Sequence, residues 1–442
     1  MTHNALQSLR RHGPTPADAA VRLHAEQVTA DLAAQRAKWA NGFTRRTFIG
    51  GAAGVAALGA QLATAKVSFA APGTQQTGTL VLVSLRGGLD GLTALVPAND
   101  PNLLRARPDI AVPASRLLSA DRGFGLHPAM QPLHAFWRSG RMAALPAVSS
   151  PDLSRSHFQA TDCLERGAAS TSVTTGWLDR VLAKMGPGTT FRAISSGGVL
   201  PRSLAGPQPD KLVLDGIESF RLETRDGLRD RTLTALRALH TGLDHMLARQ
   251  GTTAVNALTE AEKIINQGYA PAVAYPEGAF ASRLKDIARL VKAGVGVRVA
   301  TVEIGGWDTH TNVGRVDDGY LARHLAELSK GLAAFAGDLG DRLDDVTLVM
   351  VTEFGRRLEQ NGSGGLDHGH GGAVFLLGGG LNGGKVHGRW PGLAASALDH
   401  GDVAGANDYR DVLAEALERR FGITDVATVF PGHTYRRLGA YR

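Results

Sequence analysis

Cysteine is almost absent. Cys163 is the only one in 442 residues, so no intramolecular disulfide framework holds this chain together. Aromatic residues are few, at 6%, and no internal repeat or long low-complexity linker is visible. A membrane span is missing too. Crossing a bilayer takes about 20 strongly apolar residues, and the mild run 51–65 is too short and too rich in Gly and Ala for that. These absences exclude a disulfide scaffold and a stable membrane anchor. The core must be sufficient without them, and 43% hydrophobic content over this length is ample for one large α/β domain or two ordinary ones.

Charge of one sign is in excess, at +7, which suggests a nucleic-acid partner until the charge is located. Through Ala70 the chain carries eight Lys/Arg against three Asp/Glu, so +5 of the +7 lies there. The remainder, at +2, gives nucleic acid no support. The basic balance reads as an address. Arg45-Arg46, Phe48, a weakly hydrophobic Gly/Ala-rich run and the small-residue site Ser68-Phe69-Ala70 resemble a twin-arginine export signal. The expectation is a removable leader over 1–70, the twin-arginine translocation machinery as a partner, and a periplasmic or extracellular destination for a body spanning 71–442.

Glycine is plentiful, with 55 residues, which fits many tight strand-to-helix turns. The body organises around residues 298–372. Two β-branched runs, Val297–Ile304 and Val346–Thr352, read as buried parallel strands joined by a crossover helix over Tyr320–Leu339. Gly78–Leu85 and Met142–Val148 are further apolar strands, and Phe191–Ser195 is a short one. Amphipathic helices are expected over Gln159–Arg166, 176–187, Ala279–Ala293 and Asp408–Phe421, the last closed by Gly422. A charged, Leu-spaced stretch over about 217–270 reads as a helical insertion. The fold class is α/β, a mostly parallel central sheet with helices on both faces.

In such a sheet, ligands sit beyond the carboxyl ends of the strands. Those ends carry Arg86 to Asp90, then Asp308 and His310, then Glu353 and Arg356. A Gly-rich loop follows with Asp367, His368 and His370. Asp308 and His310 are two apart, as are His368 and His370, so each pair points one way in an extended segment. Mixed carboxylate and imidazole donors suit a divalent metal: zinc or manganese, or calcium for a carboxylate-rich subset. Asp90 serves either this rim or a turn cap. Ser156 stands at a helix start with Arg155 and His157 beside it. There it is a plain cap or, at a positive helix end, a nucleophile.

The motifs SLRGGLDGL, SRSHFQATDCLERG, GGWDTH, VTEFGR and DHGHGG, in this order over residues 78–440, resemble the twin-arginine-exported bacterial family DUF1501. That resemblance implies an alkaline-phosphatase- and sulfatase-like fold with one or two metal ions and a nucleophile at a helix start. Residue by residue, it implies metal ligands at Asp90, Asp308, His310 and His368 or His370, and a nucleophile at Ser156, with Ser154 as runner-up. Where the group has an Asp-His pair this chain has Glu353-Phe354, which removes one expected ligand. Two functions follow as expectations. One is a metal-assisted hydrolase of phosphate or sulfate esters, with Glu353 as a further ligand and Arg86 or Arg356 clamping a small anionic substrate. The other is a non-catalytic binding protein acting with an exported partner protein or surface polymer. A metal-free site using Asp308 and Glu353 as acid and base stays open beside them.

Overall fold

Runs of aliphatic and β-branched residues make the strands, and glycine-marked breaks end them. The computed structural model describes residues 78–442 except 209–210, 223, 225–226 and 241–245. The leader over 1–70, with Arg45-Arg46, lies outside the described residues. In chain order the strands are β1 (Thr79–Leu85), β2 (Leu95–Pro97), β3 (Leu118–Ser119), β4 (Phe124–Leu126), β5 (Met142–Ser149), β6 (Ala193–Ser196), β7 (Lys211–Leu214), β8 (Val299–Ile304), β9 (Val346–Val351), β10 (Gly372–Gly378), β11 (Leu398–Asp399), β12 (Asp402–Val403) and β13 (Asn407–Asp408).

Eight of them form one sheet in the order β13-β5-β10-β9-β1-β8-β6-β7. Every pairing is parallel except those of β10, which runs against both β5 and β9. The sheet is therefore α/β and mostly parallel, as its uninterrupted apolar runs predict. The antiparallel β10 is a strand that the sequence pattern misses, because GGAVFLLGGG is framed by glycines that read as loop.

Alternation along the strands feeds two cores. Val81, Val83 and Leu85 of β1 pack with the helices Ala279–Lys292 and Tyr320–Leu339 on one face. Leu80 and Leu82 face the other way, toward Trp177–Lys184 and Tyr409–Phe421. The crossover helix occupies the predicted Tyr320–Leu339. Between β7 and β8 two helices, Arg229–His240 and Met246–Asn266, occupy the region read as a helical insertion. Among the described residues no helix is long and apolar enough to cross a membrane.

Candidate metal centre at the sheet rim

Strand direction assembles the site. β1, β5, β8 and β9 run the same way, so the loops at their C-terminal ends share one rim. Because β10 runs oppositely, its N-terminal approach, residues 367–371, enters at that same rim. Glycine makes this possible: a Cβ on Gly369 would lie 2.5 Å from the carbonyl carbon of Arg356, so only glycine lets the two loops touch.

Four side chains converge there. Asp308 Oδ1 lies 3.1 Å from His310 Nε2, 3.2 Å from His368 Nε2 and 3.3 Å from His157 Nε2. His310 Nε2 and His368 Nε2 are 2.9 Å apart. His157, Asp308 and His368 offer ligand atoms all within 4.8 Å of one another, a spacing that could hold a metal ion.

The opposite ring nitrogens decide what faces the centre. His368 Nδ1 lies 2.8 Å from the Arg155 carbonyl, which can only accept, so this nitrogen carries the proton. His157 Nδ1 lies 2.8 Å from Glu353 Oε1, and His310 Nδ1 lies 3.0 Å from Asp367 Oδ1. Hydrogen bonds from Asn361 and His310 hold the Asp367 carboxyl below its ordinary value, so it too is an acceptor. A neutral imidazole protonated at Nδ1 has a bare lone pair at Nε2. In that tautomer each of the three rings presents Nε2 to the Asp308 carboxylate. Nitrogen lone pairs gathered on a carboxylate oxygen call for a cation or a shared proton between them. His157 Nε2 is buried without a hydrogen-bond partner, which marks the same deficit. Metal-binding histidines carry this kind of outer support, a carboxylate or carbonyl on the far nitrogen. The donor set fits a divalent ion.

Electrostatics agree. Burial opposes the charge on Asp308, but Arg356 outweighs it and holds the carboxyl far below the usual range. Burial pulls His368 below the ordinary imidazole value against the Arg155 carbonyl, so the ring is neutral near pH 7.

Other residues singled out in the sequence lie elsewhere. Asp90 is buried in a bidentate pair with Arg107, at 2.5 and 2.9 Å, away from the three histidines. Glu353 stands behind His157, where it also accepts from Gly87 N at 2.8 Å. Arg356 is buried and turned inward. Its nitrogens donate to the carbonyls of Gly87, Gly88, Trp307 and Leu366 and to Asp308. It ties three strand ends together and has little left for a substrate anion. Arg86 is half-exposed, with Glu303 3.6 Å away. His370 turns from the centre: its Nε2 lies 3.3 Å from the Ser150 carbonyl. It lines an adjoining cleft of about 210 Å³ with Asp152, Arg155, Phe354, Asp399 and His400. Phe354 packs its ring 4.8 Å from His157 and 4.7 Å from His368.

At the helix start, Ser154 Oγ donates to Asp152 at 2.6 Å and accepts from Ser156 N at 3.1 Å, which staples the turn. Ser156 occupies the N-cap of helix His157–Arg166 but makes no side-chain capping bond. In the sequence His157 stands beside Ser156 with nothing that marks it as a ligand, and Asp367 carries no assigned role. The one signal for His157 is its position as first helical residue after a loop leaving the same rim.

The DUF1501 family model, described as a protein of unknown function, matches residues 125–430. No curated protein matches the chain. Among solved structures it is similar to the C-terminal periplasmic domain of EcEptC from Escherichia coli, in complex with Zn. The identity is 11%, coverage is 71% of this chain and 76% of that one, and the TM-score is 0.31.

Proposed function

We propose, from the premise that this chain belongs to the DUF1501 family, that its sheet rim is a single divalent-metal centre of an exported hydrolase acting on phosphate or sulfate esters. One observation carries the reading: the convergence of three imidazole Nε2 atoms on Asp308 Oδ1, each ring held from behind through Nδ1. His157, His310, His368 and Asp308 would hold the ion. Three nitrogen donors and one oxygen favour zinc or manganese over calcium, which takes six to eight oxygens. A divalent ion there supplies Lewis-acid stabilisation of charge developing on the ester oxygens and lowers the pKa of nearby water.

The chain's own residues do the rest. Glu353, Asp367 and the Arg155 carbonyl fix the ring tautomers. Arg356 keeps Asp308 ionised and pointed inward. Arg86, loosely paired at the rim, is the guanidinium available to meet an anionic substrate. Ser156 is the better nucleophile of the two serines, because its hydroxyl makes no capping bond while that of Ser154 is committed to Asp152. The alkaline-phosphatase-like identity of the sheet and export through Arg45-Arg46 belong to this same reading.

Two experiments test it. Ser156→Ala should abolish hydrolysis of an aryl phosphate or aryl sulfate. Its stability should change by less than about 0.5 kcal/mol, since no capping bond is lost, against about 1 kcal/mol for a true cap. Full activity in this variant removes Ser156 from the chemistry. A wild type that turns over no ester when fully loaded with metal favours the binding-protein reading instead. For export, replacing Arg45 and Arg46 with Lys should leave unprocessed precursor in the cytoplasm. Normal processing and location in that variant would show the address is elsewhere.

A further inference from the structure

Arg155 adopts φ 55°, the left-handed region that non-glycine residues rarely enter. It lies in the loop between β5 and helix His157–Arg166. Its guanidinium pairs with Asp402, whose side chain is completely buried in β12, and Arg357 Nε lies 3.5 Å from the other Asp402 oxygen. Its carbonyl accepts the Nδ1 proton of His368 at 2.8 Å. One residue is therefore held at its side chain by a buried carboxylate and presents its backbone to a candidate metal ligand.

That backbone contact matters for proton placement. With Nδ1 protonated, His368 turns a lone pair toward Asp308 and His310. Without the carbonyl, the proton is free to sit on Nε2 and would fill the position a metal needs. We propose that Arg155 is a positioning residue of the rim centre, acting through its carbonyl: the Asp402 ion pair holds it left-handed, and the carbonyl keeps the His368 proton on Nδ1. The affinity part of this proposal rests on the metal reading above; the tautomer part does not. Two other roles predict different behaviour. A guanidinium that clamps substrate would depend on charge alone, and a plain loop tether would leave the histidine unaffected.

Arg155→Gly and Arg155→Ala separate these roles, since both remove the guanidinium but only glycine enters the left-handed region freely. The histidine tautomers are read by ¹⁵N NMR on the metal-free full chain, and zinc affinity by competition with a chromophoric chelator. Arg155→Gly should keep His368 protonated at Nδ1. Arg155→Ala should move protons to Nε2 and weaken zinc binding by about 10- to 100-fold relative to the glycine variant. Asp402→Asn, which keeps Arg155 but loosens its hold, should shift both readouts in the direction of Arg155→Ala and decides the matter if the alanine variant does not fold. Equal behaviour of the glycine and alanine variants, or wild-type readouts in Asp402→Asn, overturns the proposal. If the tautomers respond as stated while wild type binds no zinc, positioning stands and the metal reading falls.

Discussion

A histidine presents a lone pair only while its other nitrogen keeps the proton, and burial decides how readily the ring charges. His157, His310 and His368 meet the first condition through Glu353, Asp367 and the Arg155 carbonyl. His127 shows the second in a purely structural setting. It is buried, its Nδ1 accepts from Ala129 N at 3.0 Å, and burial pushes its pKa down to about 4 although Asp317 pulls upward. Above about pH 6.5 the ring is neutral in both folded and unfolded chains and contributes no pH dependence. Between about 6.5 and 4 only the unfolded chain takes the proton, so stability falls as pH falls, by a total on the order of 2–3 kcal/mol. Urea unfolding of His127→Gln between pH 7.5 and 4.5 should show a shallower acid limb than wild type. Parallel limbs would mean the ring charges in place.

Legibility in the sequence divides along the same line. Asp308 and His310 stand out because a short Asp/His pair follows a strand end, and His368 because Asp367 and His370 flank it in a Gly-rich loop. His157 does not, because a histidine that opens an amphipathic helix looks like any other helical residue. Asp402 and the Arg155 carbonyl leave no mark at all, since a backbone acceptor and a buried carboxylate are chosen by tertiary packing.

At the scale of elements, the loop after β1 shows how a carboxylate at the right strand end can still be structural. Asp90 has the position of a ligand, yet Arg107 takes both its oxygens, and the Arg107 guanidinium also donates to the carbonyls of Arg357 and Leu358. The pair fastens the β1 loop to the β9 loop. Burial works against the Asp90 charge, but Arg107 prevails and lowers its pKa. Removing one partner leaves a buried charge uncompensated, so Asp90→Ala should cost about 3–5 kcal/mol. At a temperature where the variant is folded, its metal content should match wild type. Metal loss without a drop in melting temperature would return Asp90 to the ligand set. The strands themselves are legible from apolar runs, whereas β10 escapes notice because its flanking glycines imitate a loop. Its reversed direction is the feature that carries His368 to the rim.

For the whole molecule, helices on both faces bury a mostly parallel sheet, and the sheet's strand order gathers loops from β1, β5, β8, β9 and β10 at one edge. Both faces of the sheet carry packed apolar cores, and the candidate site lies at the ends of the strands. The central claim, that this edge is a metal centre, is tested most directly by metal stoichiometry. Wild-type chain equilibrated with zinc or manganese, freed of excess and assayed by elemental analysis, should retain one ion per chain. At 100 times Kd, that ion should raise stability by about 2.7 kcal/mol. Asp308→Ala and His368→Ala should remain folded and retain none. A wild-type chain that holds no ion and gains no stability, or variants that keep the full complement, would contradict the account.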